Sequence, residues 1–155
     1  MSTLRIMLGD RSTEFGDDQA GYTAPVGALD LVAIIATDPP LPEELTNAIG
    51  LFMDHLEDVA REVPDAVFAD TIEMRGPGVQ ALVDTETGHP TLLPYTLARS
   101  VAEDVFRTLA TESAIDRLLN PGLPPAEVHR VVAVCCAVVA VLRSLDAAQI
   151  VLTAP

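Results

Sequence analysis

The hydrophobic positions of this chain follow two different periods. Near the N-terminus, apolar and polar residues alternate in short runs, which predicts three strands around residues 3–8, 12–17 and 20–26. From about Pro42 to Glu62, apolar residues recur every three or four positions, which predicts one long amphipathic helix. The chain therefore begins with a strand meander and continues with helices.

The rest of the chain is predicted to mix helices with isolated strands. The predicted elements are a helix at Ala28–Ala36, a strand at 65–72, a short helix after RGPGV, helices at Tyr95–Ala110, Ser113–Leu119 and Ala126–Leu145, and a strand at 149–153. This order predicts an α/β domain with a mixed sheet flanked by helices on both faces. A meander followed by crossovers that add parallel strands is the layout of a ribonuclease-H-like or actin-like half domain.

Composition narrows the possible partners. The 155 residues suit a single domain, and 49% of them are hydrophobic. The net charge is −14, and all nine basic residues are Arg. Such a chain repels nucleic acid, anionic membranes and polyphosphate unless a cation or a partner intervenes. We therefore expect neither nucleic acid nor a membrane as a partner.

Two adjacent cysteines lie in the most apolar segment. Cys135 and Cys136 fall within the run Val131–Leu142, where we expect them to act as small buried hydrophobes. That run has twelve residues, whereas a helix needs about 20 to cross a bilayer. The N-terminus has no secretory pattern, so we expect a cytoplasmic protein.

The stretch LGDRSTEF, residues 8–15, is the first candidate site. A phosphate cradle needs several backbone N–H groups pointing at the ligand, which usually requires glycines. Only Gly9 is present, and Asp10 adds a charge that disfavours an anion. Arg11 can bind phosphate, or it can pair with its neighbours Asp10 and Glu14. The residues favour a plain hairpin, with a residual anion site as the alternative.

An ordered set of motifs gives the chain a family resemblance. LGDRSTEF is followed by APVGALDL at 24–31, TDPPLPEEL at 37–45, PGLPPAEVHRVVAVCCAVVAVL and finally QIVLT. Together they resemble the second actin-like domain of the exopolyphosphatase and guanosine pentaphosphate phosphatase (Ppx/GppA) family. The resemblance covers essentially the whole chain. It implies one domain over residues 1–155 with the ribonuclease-H-like, actin-like ATPase fold.

The resemblance also implies site residues. The candidates for phosphate binding, with Arg11 added for its charge, are Gly9, Arg11, Ser12, Thr13, Gly76 and Gly78. Glu14 matches a catalytic glutamate that, in the family, helps to position the attacking water. There it works with Mg²⁺ and with a carboxylate from the first actin-like domain. The resemblance therefore implies Mg²⁺ only where a partner completes the site.

Several positions depart from the family pattern. The aspartate of the loop falls on Met7, whose thioether does not suit Mg²⁺, and two loop glycines fall on Asp10 and Arg11. Val79 replaces a hydroxyl residue, and a helix glycine that approaches the ligand falls on Cys135. The first actin-like domain of the family has no counterpart in these residues.

These departures favour a degenerate, stand-alone half of a Ppx/GppA-type phosphatase, a pseudoenzyme that acts through protein association. The alternative is a subunit of a two-chain exopolyphosphatase or pppGpp phosphatase, completed by a separate first domain. A third interpretation is a small-ligand sensor that uses the altered cleft. The three histidines have no spacing that indicates a shared metal site. We expect a homodimer, because the apolar helix around Val131–Leu142 has almost no polar face.

Overall fold

The central sheet has six strands. The computed structural model describes residues 2–155, and its strands are β1 (Thr3–Leu8), β2 (Thr13–Gly16), β3 (Gly21–Ala24), β4 (Thr71–Arg75), β5 (Tyr95–Ala98) and β6 (Gln149–Leu152). Their order is β3-β2-β1-β4-β6-β5. The meander β1–β3 is antiparallel, β1, β4 and β6 are parallel, and β5 runs antiparallel at the edge. This mixed sheet confirms the predicted α/β, ribonuclease-H-like class.

Six α-helices pack around one another beside the sheet. They are α1 (Ala28–Ile34), α2 (Pro42–Glu62), α3 (Val79–Thr87), α4 (Arg99–Thr111), α5 (Ala114–Arg117) and α6 (Arg130–Ser144), with short 3-10 helices at Pro64–Phe68 and Pro125–Glu127. The sequence predicts α2 at these same bounds. Its start is well specified, because Pro42 stands at the first helical position and the Glu44 carboxylate accepts the Leu41 N–H at 2.9 Å.

Helix α6 is the centre of the core. All twelve residues from Val131 to Leu142 are buried, because α1, α2, α3 and α4 each contact this helix. Its apolar surface is therefore covered within the domain. The basis on which we expected a homodimer, an exposed apolar face on this helix, is wrong. No helix of residues 2–155 is both long enough and apolar enough to span a membrane.

The two faces of the sheet differ in burial. Most strand side chains on the helix side are at most 5% exposed, among them Leu4, Ile6, Leu8, Phe15, Ile72, Met74, Ile150 and Leu152, and only the edge residues Tyr22 and Tyr95 are partly buried there. On the opposite side, which we call the open face, no side chain is buried; it carries Arg5, Met7, Glu14, Thr23, Glu73, Arg75, Val151 and Thr153. The expectation of helices on both faces is therefore wrong for residues 2–155. The alternating pattern of β1 is that of a strand buried on one side only.

Two predicted elements differ in kind from those observed. Residues 95–98 form strand β5 rather than the first turn of a helix, because they pair with β6 through the register Tyr95 to Leu152. Helix α4 begins only at Arg99, whose N–H donates to the Ala148 carbonyl at 2.8 Å. The strand predicted at 65–72 is a 3-10 helix that starts at Pro64, and β4 begins later, at Thr71.

Candidate functional site

The candidate site lies at one edge of the sheet. Strands β1 and β4 are parallel neighbours, so the turns that follow them, residues 9–12 and 76–78, come side by side. Ligands of open α/β sheets bind at this carboxyl edge. Gly76 has φ +142°, and a Cβ there would collide with the Leu8 carbonyl, so the two turns touch through backbone. The edge thus unites the two glycine turns that the sequence singled out.

The first turn is closed and bound to α1. The Gly9 N–H donates to the Ser12 carbonyl at 2.9 Å. The carbonyls of Gly9 and Asp10 accept from the N–H groups of Ala28 and Leu29 at 2.9 and 3.0 Å. A helix N-terminus offers its free N–H groups to an anion. Here those donors bind carbonyls of the turn itself, so the α1 N-terminus has no such groups to offer.

Arg11 pairs with α1 rather than with its sequence neighbours. Its Nη1 donates to Asp30 Oδ1 at 3.2 Å, and the other Asp30 oxygen accepts the Gly27 N–H at 2.8 Å. Asp30 therefore caps α1 and holds the arginine at the same time. The pairing of Arg11 with Asp10 and Glu14 that the sequence suggested is not the one formed. The Arg11 side chain is 71% exposed, so this ion pair contributes little stability.

The hydroxyl and carboxylate candidates point in different directions. Thr13 is completely buried and its hydroxyl donates to the Val26 carbonyl at 2.7 Å, whereas Ser12 is exposed. Glu14 lies on the open face of the sheet, in register with Met7. Among residues 2–155, Glu14 makes no hydrogen bond or ion pair. Side chains alternate along β2, so Thr13 and Glu14 point to opposite faces of the sheet. The family motif would place both residues at one ligand.

Arg130 occupies the space between the two turns, and the sequence analysis missed it. A Cβ on Gly78, which has φ +90°, would lie 2.9 Å from Arg130 Cδ and 2.9 Å from Val134 Cγ2. The Arg130 guanidinium lies 3.6 Å from Asp10 Oδ1 and 3.7 Å from Glu127 Oε2. We call these three residues the Arg130 cluster. Its sequence signal was an Asp in the first turn together with a Glu just before α6 and an Arg, three residues later, at its first position.

The Arg130 cluster leaves two carboxylate oxygens without hydrogen bonds. Asp10 Oδ1 and Glu127 Oε2 are buried, and within residues 2–155 neither accepts a hydrogen bond. Both are held by charge alone, at ion-pair distances that exceed a good hydrogen bond. The side chain of Arg130 is 26% exposed, so these charges are partly shielded from water. The cluster pairs the aspartate that stands where the family loop has glycine with a positive charge, which Glu127 shares.

The cysteines lie away from this edge. Cys135 was expected to take the place of the glycine that approaches the ligand, but its Sγ points to the Ala102 carbonyl of α4, 3.9 Å away. The α6 residues that approach Gly78 are Arg130 and Val134. Burial raises the pKa of Cys136 to about 12 and that of Cys135 well above its usual range. Both thiols therefore stay protonated and act as buried hydrophobes, as the sequence predicts.

A second polar feature lies under the loop between α1 and α2. A cavity of about 50 Å³ is lined by side chains that include Asp38, Arg117 and His129. Arg117 is 2% exposed and donates to the carbonyls of Leu109, Glu112 and Val128 at 3.3, 2.9 and 2.7 Å. Burial lowers its pKa, although a guanidinium remains charged in proteins. Arg117 thus joins the end of α4 to the start of α6.

The structure offers no metal centre within residues 2–155. No group of three or more His, Cys, Asp or Glu side chains in this range could hold a metal ion. Glu14 lies beside Met7 on the open face, while Asp10 of the first turn belongs to the Arg130 cluster. Mg²⁺ requires several oxygen ligands at near-octahedral positions. The residues of this chain do not by themselves fit Mg²⁺.

Comparison with known proteins identifies solved structures that share this fold. No family model matches the sequence, and no curated protein matches it. Solved structures do match. An exopolyphosphatase-like protein has a TM-score of 0.88 at 18% identity, over 99% of this chain and 55% of that one. A Ppx/GppA phosphatase of Aquifex aeolicus has a TM-score of 0.85 at 16% identity, over 99% and 53%.

An exopolyphosphatase of Cytophaga hutchinsonii matches less closely, with a TM-score of 0.75 at 15% identity, over 99% of this chain and 53% of that one. The chain therefore spans about half the length of each of these proteins. The resemblance to the Ppx/GppA proteins is confirmed at the level of the fold, which is that of a half-length domain. At such low identity the likeness concerns the fold, and activity has to be argued from the site.

Proposed function

We propose that this domain is a catalytically inactive relative of the Ppx/GppA phosphatases that acts through protein association. The observation that carries the proposal is the Arg130 cluster together with the closed first turn. The α1 N–H groups bind the carbonyls of Gly9 and Asp10, and Arg130 occupies the gap between the turns. A phosphate at this edge would have to displace an arginine side chain and meet the carboxylate of Asp10.

The placement of Glu14 also supports inactivity. A general base has to lie within hydrogen-bond reach of the proton that it removes. Glu14 is on the open face and Thr13 on the covered face, while the Arg130 cluster lies at the edge of the sheet and makes no hydrogen bond or ion pair with Glu14 within residues 2–155. A water held between the two glycine turns would therefore not be activated by Glu14. Its two partners in register are Met7, which supplies no oxygen ligand, and Thr23, which supplies one neutral hydroxyl.

A phosphate-release assay tests the proposal. The purified protein with Mg²⁺ is given polyphosphate or pppGpp, and phosphate is measured over time. We expect release equal to that of a Glu14→Ala variant and of a blank without protein. Turnover that is clear in the wild type and disappears in Glu14→Ala would overturn the inactive assignment.

A second variant probes the reason for inactivity. We expect no activity from the combined changes Met7→Asp, Asp10→Gly and Arg11→Gly, because Arg130 still fills the gap and the catalytic constellation is still incomplete. Its matched control is the same variant with Arg130→Ala added. Activity in the triple variant alone would show that the lost loop residues, and not the packing around Arg130, abolish catalysis.

The alternative proposal is a subunit of a two-chain, Mg²⁺-dependent phosphatase. One observation favours it: Glu14 is exposed and makes no ion pair within residues 2–155, so a partner carboxylate could approach it. The half-length match to exopolyphosphatases is consistent with a separate first domain. Mixing the chain with a separately produced first domain of this family, and finding phosphate release that depends on Glu14, would favour this second candidate.

A further inference from the structure

A groove lies between helices α2 and α4, and we call it the α2–α4 groove. Both helices pack on α6, yet within residues 2–155 they make few or no contacts with one another. The groove has a volume of about 460 Å³, and its lining includes Leu45, Ile49 and Met53 of α2, Phe106 of α4 and Arg143 at the end of α6. Its α2 side covers about three helical turns, or roughly 17 Å. This length is enough for a short helix of another chain.

The floor of the groove is neutral although it contains an arginine. Arg143 Nε and Nη2 donate to the two Glu103 oxygens, each at 2.8 Å. A bidentate pair of this kind is among the strongest that an arginine makes with a carboxylate. The Arg143 hydrogen bond holds the pKa of Glu103 below its usual range. The rest of the named lining is apolar, so the groove presents mainly hydrophobic surface.

Gly50 indicates that another backbone comes close to α2. It stands in the interior of this helix and lines the groove. Glycine favours a helix less than any other residue except proline. A Cβ on Gly50 would meet no atom within 4 Å, so packing inside this domain does not require a glycine there. Glycine permits the close approach of a second backbone, and the groove is the place where such a backbone fits.

The rim of the groove on α2 is acidic. Glu43, Asp54 and Glu57 are exposed, and each lies three or four positions along α2 from a residue that lines the groove. Residues at this spacing are neighbours on a helix surface. Within residues 2–155 none of the three accepts a hydrogen bond or forms an ion pair, and Arg61, the only arginine of α2, pairs with Asp58. The rim therefore offers three negative charges to a partner.

We propose that the α2–α4 groove binds a basic amphipathic helix of another protein. The apolar stripe of that helix packs between α2 and α4, as amphipathic helices do in the grooves of their partners. Its Lys or Arg side chains meet the acidic rim. A second copy of this chain is disfavoured, because its net charge of −14 would bring acid against acid. This inference deepens the association part of the proposed function and rests on it.

Two model peptides test the proposal. Both are helical and about 18 residues long, with leucine at every third or fourth position, and they carry either lysine or glutamate at the flanking positions. Binding is measured by calorimetry in about 0.1 M salt. We expect saturable binding of the lysine peptide and at least about tenfold weaker binding of the glutamate peptide. Equal affinities, or no binding of the lysine peptide, would overturn the proposal.

Substitutions of Gly50 locate the peptide. Because a Cβ there meets no atom, Gly50→Leu should not lower the melting temperature, but its side chain enters the groove and should weaken the lysine peptide at least about tenfold. Gly50→Ala should raise the melting temperature, since alanine favours a helix. A lower melting temperature in Gly50→Ala would show that the glycine serves the fold. Unchanged binding in Gly50→Leu would place the peptide elsewhere, and either result overturns the proposal.

The acidic rim is tested by a variant with both Asp54→Asn and Glu57→Gln. We expect the lysine peptide to bind about tenfold more weakly to it. The matched control has Asp18→Asn and Glu73→Gln, which remove the same charge from the strands and turns of the sheet, and its affinity should stay within about twofold of the wild type. An equal loss in the control would mean general attraction to an acidic protein, and the groove would be the wrong site.

The protein without peptide provides the last check. Sedimentation should give the chain mass of 16.4 kDa. A doubled mass that Gly50→Leu abolishes would assign the groove to a second copy and overturn the basic partner. None of these measurements depends on phosphate release. A failure here therefore leaves the proposed inactivity to be decided by the phosphate-release assay.

Discussion

The two faces of the sheet are made from the same strands and have opposite characters. On the covered face, Leu4, Ile6 and Leu8 of β1 are at most 1% exposed and pack toward α6 and its neighbours. On the open face, Arg5 and Met7 of that same strand stand among charged and hydroxyl side chains. Stability is therefore concentrated on one side. The other side is free to change in sequence at small cost in folding.

The sharpest test of this contrast compares two adjacent residues of β1. Ile6→Ala removes a side chain that is 1% exposed and should lower the free energy of unfolding by about 3 kcal/mol. Met7→Ala, on the open face, should lower it by less than about 1 kcal/mol. Urea denaturation at a protein concentration where the chain is monomeric measures both. Equal losses at the two positions would show that the open face is covered within the domain.

The difference in burial between the two faces could partly be predicted from the sequence. In β1, Leu4, Ile6 and Leu8 alternate with residues that are polar or less strongly apolar. This is the pattern of a strand that is buried on one side. Helix α2 was predicted at its observed bounds because its signals are local, a proline at the first position and a regular apolar period. Strand β5 was missed because four residues become a strand only by pairing with β6, about 50 positions later. Local periodicity carries no information about that pairing.

The candidate site shows the same division between local and distant information. Gly9 was singled out from a turn that is local in sequence, and Gly76 and Gly78 were implied by the family resemblance. The role of Arg130 was not found, because it depends on three segments that meet only in the fold: the turn after β1, the turn after β4 and the start of α6. The pairing of Arg11 with Asp30 was missed for the same reason, since its partner lies 19 positions away.

On the helix side of the sheet the charged side chain of Arg117 is buried. Its removal should have the second-largest effect on the free energy of unfolding. Arg117→Met removes the side-chain donor from one buried and two partly buried carbonyl groups, and we expect a loss of about 2 kcal/mol in the free energy of unfolding. Arg107→Met on the exposed side of α4 is the control, with an expected change below about 0.5 kcal/mol. If both variants unfold at the same urea concentration, the bridge from Arg117 to α4 and α6 is not a significant source of stability.

The smallest expected effect concerns anions at the glycine turns. A ligand that binds only the native state raises the melting temperature by mass action. Because the α1 N–H groups bind turn carbonyls and Arg130 fills the gap, millimolar phosphate or sulfate should leave the melting temperature unchanged. The same should hold for Arg11→Ala, whose side chain is exposed and pairs with Asp30. A saturable rise in the wild type that Arg11→Ala abolishes would mean that the turn still binds an anion. The edge of the sheet would then have a role in binding, and the comparison between the two faces would have to include the edge that joins them.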